Sequence, residues 1–417
     1  MRLALTLSVL SASLGMPLAA QSQVWTVDDD GPADFASIQS AIDAAQDGDA
    51  LLIRGGSYAP IAIDAKRLTL LADDGQTVLA PQPLFTNIAG LTVTGLASDQ
   101  PVTIVGLNLA SAGGFGYGIG AGGMQGLLWV QDCTIQGLGG VTATSCTLVV
   151  RDSVLQGDKS FASGGFFPVS EGAGISLFDA TLRAYGSTLE GSIGKNAGCI
   201  IGFSCGTASI GGDGLELISF SAAHLSGVTC KGGHGEHSIC DSTSWGNAGS
   251  GGDGVYVELG SQVLAIDTSF VAGPGGISFT VCASGSPGVA QSGTGQLTIS
   301  SALRRSLTVT GLVREGETID VTISAPAGEE VFVGLATTPG ETPAPQIDGP
   351  LVVGAAPAVL PLGTMPASGV LQLSLPAPEL PPGFDFLVLY LQPAFLVAPG
   401  NGVAGDPMAL VILDSAF

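Results

Sequence analysis

This 417-residue chain is short of charge, and above all of positive charge: 12 Lys and Arg stand against 35 Asp and Glu, for a net charge of −23. Phosphate binding needs a basic stripe, so nucleic acid is excluded as a partner, and anionic membrane surfaces are disfavoured for the same reason. Charged residues of both signs reach only 11%, against about 25% in an average soluble domain. Beyond the first 20 residues no uninterrupted apolar run is long enough for a membrane helix, so no membrane insertion of the mature chain is expected. The lack of charge does not mean disorder, because 45% of residues are hydrophobic. What fills the gap is glycine, 64 residues, roughly twice the usual share. Apolar residues with many glycines point to a repetitive β architecture with tight turns.

The first 20 residues read as a secretory signal. Arg2 is the short positive region, Leu3 to Leu14 are apolar but too short to span a bilayer, and Pro17 to Ala20 offer a small-residue cleavage site. The expectation is an exported chain, secreted or at the cell surface.

Three zones follow. In the first, Asp34 to Ala45 has helical spacing, with Phe35, Ile38, Ile42 and Ala45 on one face and Asp34 as N-cap. Leu51 to Ile53 and Lys66 to Leu71 read as strands. The run from Asp34 to Asp49, closing on Gly48-Asp49 and followed by Gly56 and Tyr58, resembles the entry segment of right-handed parallel β-helix proteins of the pectin-lyase-like superfamily. The resemblance implies a solenoid spanning 24–299, with the helix capping its open end. It covers about a tenth of the chain and implies little about activity.

The second zone carries the repeats that such a solenoid needs. Leu128, Val130, Cys133, Ile135 and Gly137 form one copy. Leu148, Val150, Ser153, Leu155 and Gly157 form the next, and Leu182, Ala184, Ser187, Leu189 and Gly191 another. Copies beginning at Val102, Ala223 and Leu264 fit the same scheme. Two alternating apolar positions, a two-residue break and resumed alternation describe a strand, a bend and a strand with these side chains inward. One such unit cannot bury its apolar face; stacked units make a continuous core. A further strand recurs at Ile175–Leu177, Leu215–Leu217 and Val255–Val257. The glycine-rich stretches 192–211 and 233–251 are expected to project as loops.

The third zone, 301–417, holds 15 of the 24 prolines. Strand-like runs at 307–310, 319–324, 331–336, 370–375, 386–391 and 408–413 suggest a C-terminal β-sandwich-like domain, or else a capping extension of the solenoid.

Seven cysteines divide by register. Cys133 and Cys230 fall on inward positions; Cys146, Cys199, Cys205, Cys240 and Cys282 fall in loops. Cys199 and Cys205 are the best local disulfide candidate, and links between loops of adjacent coils are also feasible. His234, His237 and Cys240, with Cys230, have ligand types suited to Zn²⁺, but the spacing matches no standard structural site, and a solvated loop is the default reading. Gly202-x-Ser204-x-Gly206 and Gly118-x-Gly120-x-x-Gly123 match catalytic and dinucleotide-binding motifs by letters alone and lack the strand–turn–helix context. Asp213 and Asp253 sit in Gly-Gly-Asp-Gly turns worded like calcium-binding repeats. The nine-residue period is absent, so each Asp is expected to bond its own backbone, although a bound Ca²⁺ is compatible with this acidic, exported chain. No other cofactor is called for.

The register also defines an outward face. Gln131-Asp132 and Arg151-Asp152 occupy the same bend on successive coils, and Trp129, Arg183 and His224 share another outward row. A stacking ring, a cation and acid/base groups are what a polysaccharide groove uses. Asp132, Arg151 and Asp152 are the candidate catalytic residues, matching in type the two Asp and one Arg that the resemblance to pectinesterase-like enzymes implies, although the family's fuller motifs are missing. Trp129, Gln131, Arg183 and His224 are the candidate substrate-binding residues. Two functions follow: a non-catalytic module that binds polysaccharide or a cell-surface glycan, adheres or builds structure; or a polysaccharide lyase, esterase or hydrolase on the same face.

Overall fold

The structure is a computed structural model that describes residues 22–73, 77–79, 89–110, 116–157, 172–194, 208–237, 247–278, 283–342, 344–354, 356–398 and 401–417. The predicted signal and Cys199, Cys205, Ser204, Cys240 and Cys282 lie outside these residues.

The chain is all-β and built on three long parallel sheets of ten, eight and eight strands. It visits them in turn, as the strand–bend–strand repeat requires. The strand Leu127–Gln131 of the first sheet is followed by Thr134–Gly137 of the second and Val141–Thr144 of the third, and then the next coil begins at Thr147–Arg151. For the coils through Ala223 the register is the one the repeats predict: Leu128 pairs with Leu148 and Leu148 with Leu182, while Ile135 pairs with Leu155 and Leu155 with Leu189. The copy placed at Leu264 is one residue out: Val263, Ala265 and Phe270 continue the inward rows, and Leu264 and Val271 face outward beside His224 and Lys231. These inward side chains are fully buried and form one continuous core with Cys133 and Cys230. The pattern is a β-solenoid in which each coil supplies the apolar surface its neighbours bury.

Each coil turns at left-handed backbone positions. Gly106, Asp132, Asp152, Gly186, Gly227 and Asp267 all have positive φ, between 44° and 78°, at the bend from the first sheet to the second. Only Gly, Asn and Asp adopt this region at little cost, so the stacked Asp132 and Asp152 are required by the turn itself. Behind them Ser153 accepts from the Cys133 N–H and Ser187 from the Ser153 N–H, at 3.0 and 3.1 Å.

The first zone holds a shorter helix than its spacing suggests. It spans Ile38–Ala44, with Ser37 as N-cap accepting from the Ser40 N–H. Asp34 instead accepts from the Thr26 backbone and hydroxyl, and Phe35 bridges to Val27 beside Trp25. Ile38, Ala41 and Ile42 are buried against the first coils. Cys146, expected in a loop, is 7% exposed and belongs to the core, because the turn before Thr147–Arg151 directs its side chain inward.

The glycine-rich stretches correct a second expectation. Their described parts do not merely project; they stack into a two-layer lattice of extended backbone. Outgoing segments at 191–194, 232–237 and 272–278 alternate with returning segments at 208–214, 247–254 and 283–290. Across the layers Gly233 and Glu236 donate to Gly212 and Ser209, Gly249 and Gly252 to Glu236 and Gly233, and Gly273 and Gly276 to Gly252 and Gly249. Donors recur every third residue, the period of a polyproline II chain. The segments stack closely enough that a Cβ on Gly233 or Gly249 would lie 1.8 Å from a backbone oxygen, of Ser192 or Ser209, in the preceding segment of its own layer. Glycine is therefore a packing requirement here.

The six strand-like runs of the C-terminal zone are all strands, joined by shorter ones such as Leu351–Val353 and Asn401–Ala404. Ser306–Val309, Thr318–Ser324 and Val370–Pro376 form an antiparallel sheet, and a larger, mainly antiparallel sheet includes Glu330–Ala336, Phe386–Ala398 and Met408–Leu413. Leu307, Ile319 and Ile323 of the first share a core with Val331, Phe395 and Ile412 of the second.

Candidate functional site

The outer face of the solenoid's first sheet has the predicted rows but is not open. Trp129, Val149, Arg183, His224, Leu264 and Thr298 are register partners on successive strands, and Gln131, Arg151, Tyr185 and Ser226 form the adjacent row. The C-terminal zone lies across most of both rows. Trp129 is fully buried, stacked edge-on against Tyr390 with ring centroids 5.1 Å apart. The Tyr390 hydroxyl meets Thr103 at 2.5 Å. Gln131 acts as a one-residue strand extension: its amide donates to the Ala409 carbonyl at 3.0 Å and accepts from the Ala409 N–H at 2.9 Å.

Arg151 is the clearest correction to the expected open groove. It is 1% exposed, and its guanidinium donates to the Pro407 carbonyl at 2.5 Å, to the Leu307 carbonyl and to the Asp152 carboxylate at 2.8 Å. All three acceptors are protein groups, so the cation clamps the C-terminal zone to the solenoid. Asp132 carries the Gln131 amide on one oxygen at 3.1 Å, and burial raises its pKa despite that bond and the Arg151 charge. Lower on the face, Ser226 and Arg304 both donate to Asp406, each at 2.7 Å. Burial raises the Asp406 pKa against the pull of Arg304 and Arg151. A buried cation, paired and hydrogen-bonded, is costly to break, by about 3–5 kcal/mol when one partner is removed. Substituting Arg151 would thus test the clamp rather than catalysis.

The face opens where the C-terminal cover ends. A cleft of about 430 Å³ lies on the last coils, floored by Arg183, His224, Gln262, Gln296 and Thr298 and walled by Gly349 and Pro350. Gln262 and Gln296 are register neighbours. Arg183 sits beside His224 in the ladder, and its guanidinium bonds Glu341 at 2.8 Å. His224 is 7% exposed and packs against Tyr185. Burial, helped by the Arg183 charge, lowers its pKa to about 4, so the imidazole is neutral at ordinary pH. Of the predicted residues, the structure therefore gathers Arg183 and His224 in one accessible site and places Trp129, Gln131 and Arg151 under the cover. Gln262, Gln296 and Thr298 were missed, although Thr298 continues the row through Arg183 and His224, and Gln262 and Gln296 end the row two residues earlier through Thr181 and Ala222.

The remaining candidates stand apart. The His234 and His237 rings meet edge-on at 5.1 Å, and His237 Nδ1 accepts from the Ile277 N–H at 2.7 Å. Cys230 points into the core, fully buried, so it cannot join them. Asp213 does not bond its own turn. Its carboxylate accepts from the Asp253 N–H one coil on, and Asp253 accepts from the Val289 N–H, both at 2.7 Å. Among the described residues, only Asp28, Asp29 and Asp30 bring three carboxylates within metal-binding reach. Asp28 serves the backbone of its own turn and Asp29 that of Ser57.

No protein-family model matches the chain, and no curated protein does. Among solved structures, a superoxide reductase (neelaredoxin) from Ignicoccus hospitalis overlaps 26% of this chain and 80% of its own at 11% identity, with a TM-score of 0.16. At that score the likeness carries no argument. No helix among the described residues is long and apolar enough to cross a membrane.

Proposed function

We propose that the chain is a secreted or cell-surface protein that binds polysaccharide without turning it over. In this reading the solenoid is a right-handed parallel β-helix of the pectin-lyase-like type, capped by the helix Ile38–Ala44, and the C-terminal zone is a β-sandwich-like domain. The observation that carries the reading is the division of the outer face. Of the three residues suited to catalysis, Arg151 is buried at the cover and the exposed Asp132 and Asp152 are tied to Gln131 and Arg151, whereas the open cleft holds an amide pair, a hydroxyl, a neutral imidazole and one cation. Amides and hydroxyls bond sugar hydroxyls in two directions, and Arg183 can exchange Glu341, which is 44% exposed, for a uronic carboxylate. No pair of carboxylates faces a common point in the cleft, which disfavours the lyase, esterase and hydrolase readings. No cofactor is needed.

The test is co-sedimentation of the purified protein with a panel of acidic and neutral polysaccharides, with and without Ca²⁺, while polymer length, unsaturated ends and released methanol are followed. Binding without products, weakened at least tenfold by Arg183→Ala or by Gln262→Ala, is expected. Product formation would instead make the chain an enzyme, and binding indifferent to both substitutions would remove the cleft from the account.

A further inference from the structure

The two ends of the solenoid are finished differently. At the start, the helix Ile38–Ala44 lies against the first coils, with Ile38, Ala41 and Ile42 at most 3% exposed. At the other end nothing among the described residues covers the last rung, made of Ser269–Val271, Gln291–Gly293 and Gln296–Ser300, the terminal strands of the three parallel sheets. Ile299 sits on the inward row yet is 57% exposed, while its register partner Ala265 is fully buried. Phe270 and Leu297, also on inward rows, are only partly buried against the core. Val271, Val289 and Leu303 add exposed apolar surface at 43%, 51% and 67%. Each terminal strand also presents an unpaired row of backbone N–H and C=O groups, the template that edge strands offer to another chain.

The charge pattern identifies the occupant. Residues 268–303 contain no Asp, Glu, Lys or Arg in a chain of net charge −23. A second copy is repelled by most of this molecule but not by its last rung. The rung is also self-complementary. A two-fold axis through the middle of Gln296–Ser300 sets that strand antiparallel to its own copy. It sets three-residue Ser269–Val271 opposite three-residue Gln291–Gly293. The helix closes the opposite end, so pairing stops at two copies and no filament grows. We infer that the chain forms a tail-to-tail dimer through its last rung, continuing the three parallel sheets across an antiparallel seam.

Sedimentation velocity over a concentration series, at low and moderate salt, tests this. The expected result is a monomer–dimer equilibrium that shifts toward dimer as salt screens the repulsion between acidic copies. The double substitution Val271→Lys with Ile299→Lys places like charges on the seam and should leave only monomer, with an unchanged β circular-dichroism spectrum. Hydrogen exchange of the unsubstituted protein reads the same surface without a variant: amides within 291–300 should exchange at least tenfold more slowly in the dimer. A protein monomeric at every concentration overturns the proposal. So does a dimer that survives the double substitution, or a dimer whose 291–300 amides are no better protected than in the monomer.

Discussion

Asp152 shows how a residue suited to chemistry can be fixed by geometry instead. Its φ of 44° places it in the left-handed region, and equivalent bends hold Gly186 or Gly227 where no carboxylate is present. Its carboxylate also takes the Nε–H of Arg151 at 2.8 Å. Two separable costs follow. Asp152→Gly keeps the turn and loses the ion pair, whereas Asp152→Ala loses both. Left-handed backbone costs a residue with a Cβ about 1–2 kcal/mol, so Asp152→Ala should be less stable than Asp152→Gly by roughly 1 kcal/mol. Chemical denaturation of the two variants measures the difference. Equal stabilities would mean that the carboxylate is kept for its charge alone.

At the scale of elements, the glycine lattice has a titrating seam. Asp213 is largely buried where the returning segments meet the third sheet. Burial, reinforced by the Asp253 and Glu216 carboxylates, raises its pKa from 3.8 to about 7, against the pull of the Asp253 N–H it accepts. Glu216, bonded by the Ser176 hydroxyl, is raised as well, by burial first and by Glu258. An acid with a raised folded-state pKa binds its proton more tightly folded than unfolded. The Asp213 contribution to stability is therefore greatest below the ordinary carboxylate range and falls as pH rises toward about 7, then levels. Asp213→Asn keeps an oxygen for the Asp253 N–H and removes the ionisation. Melting temperatures followed from about pH 4 to pH 8 should decline less steeply in the variant, which should be the more stable protein at the upper end. Parallel profiles would show that Asp213 is ionised at no cost in the fold.

At the scale of the whole molecule, what could be read from the sequence depended on where the signal lay. The inward rows from Leu128 to Leu225 and their register were legible because apolar alternation is a direct imprint of burial, whereas the copy begun at Leu264 slipped by one residue, since Val263 and Ala265 are the buried positions there and Leu264 pairs with outward His224. The outward rows were legible as rows, but not as a contact surface, since nothing local in Trp129, Gln131 or Arg151 says that Leu307, Tyr390, Pro407 and Ala409 lie over them. The glycine lattice was invisible to hydrophobic periodicity because backbone bonds hold it. Only the three-residue spacing of its glycines marks it. The cover makes solenoid and C-terminal zone one structure: Val24, Leu52 and Val105 of the first sheet share an apolar cluster with Phe386, Val411 and Leu413, and Trp129 and Val149 share another with Val352 and Tyr390. Neither half can keep these faces dry alone, so the intact protein should unfold in a single transition. Arg151 is the polar clamp of that seam, and Arg151→Ala leaves Asp152 and two carbonyls without their cation at a cost of about 3–5 kcal/mol. The variant should melt in two steps. Trp129 emission should shift to the red in the first, as the seam opens, and β circular dichroism should be lost mainly in the second. A single transition in the variant, with both signals coincident, would show that the apolar clusters hold the halves together without the clamp.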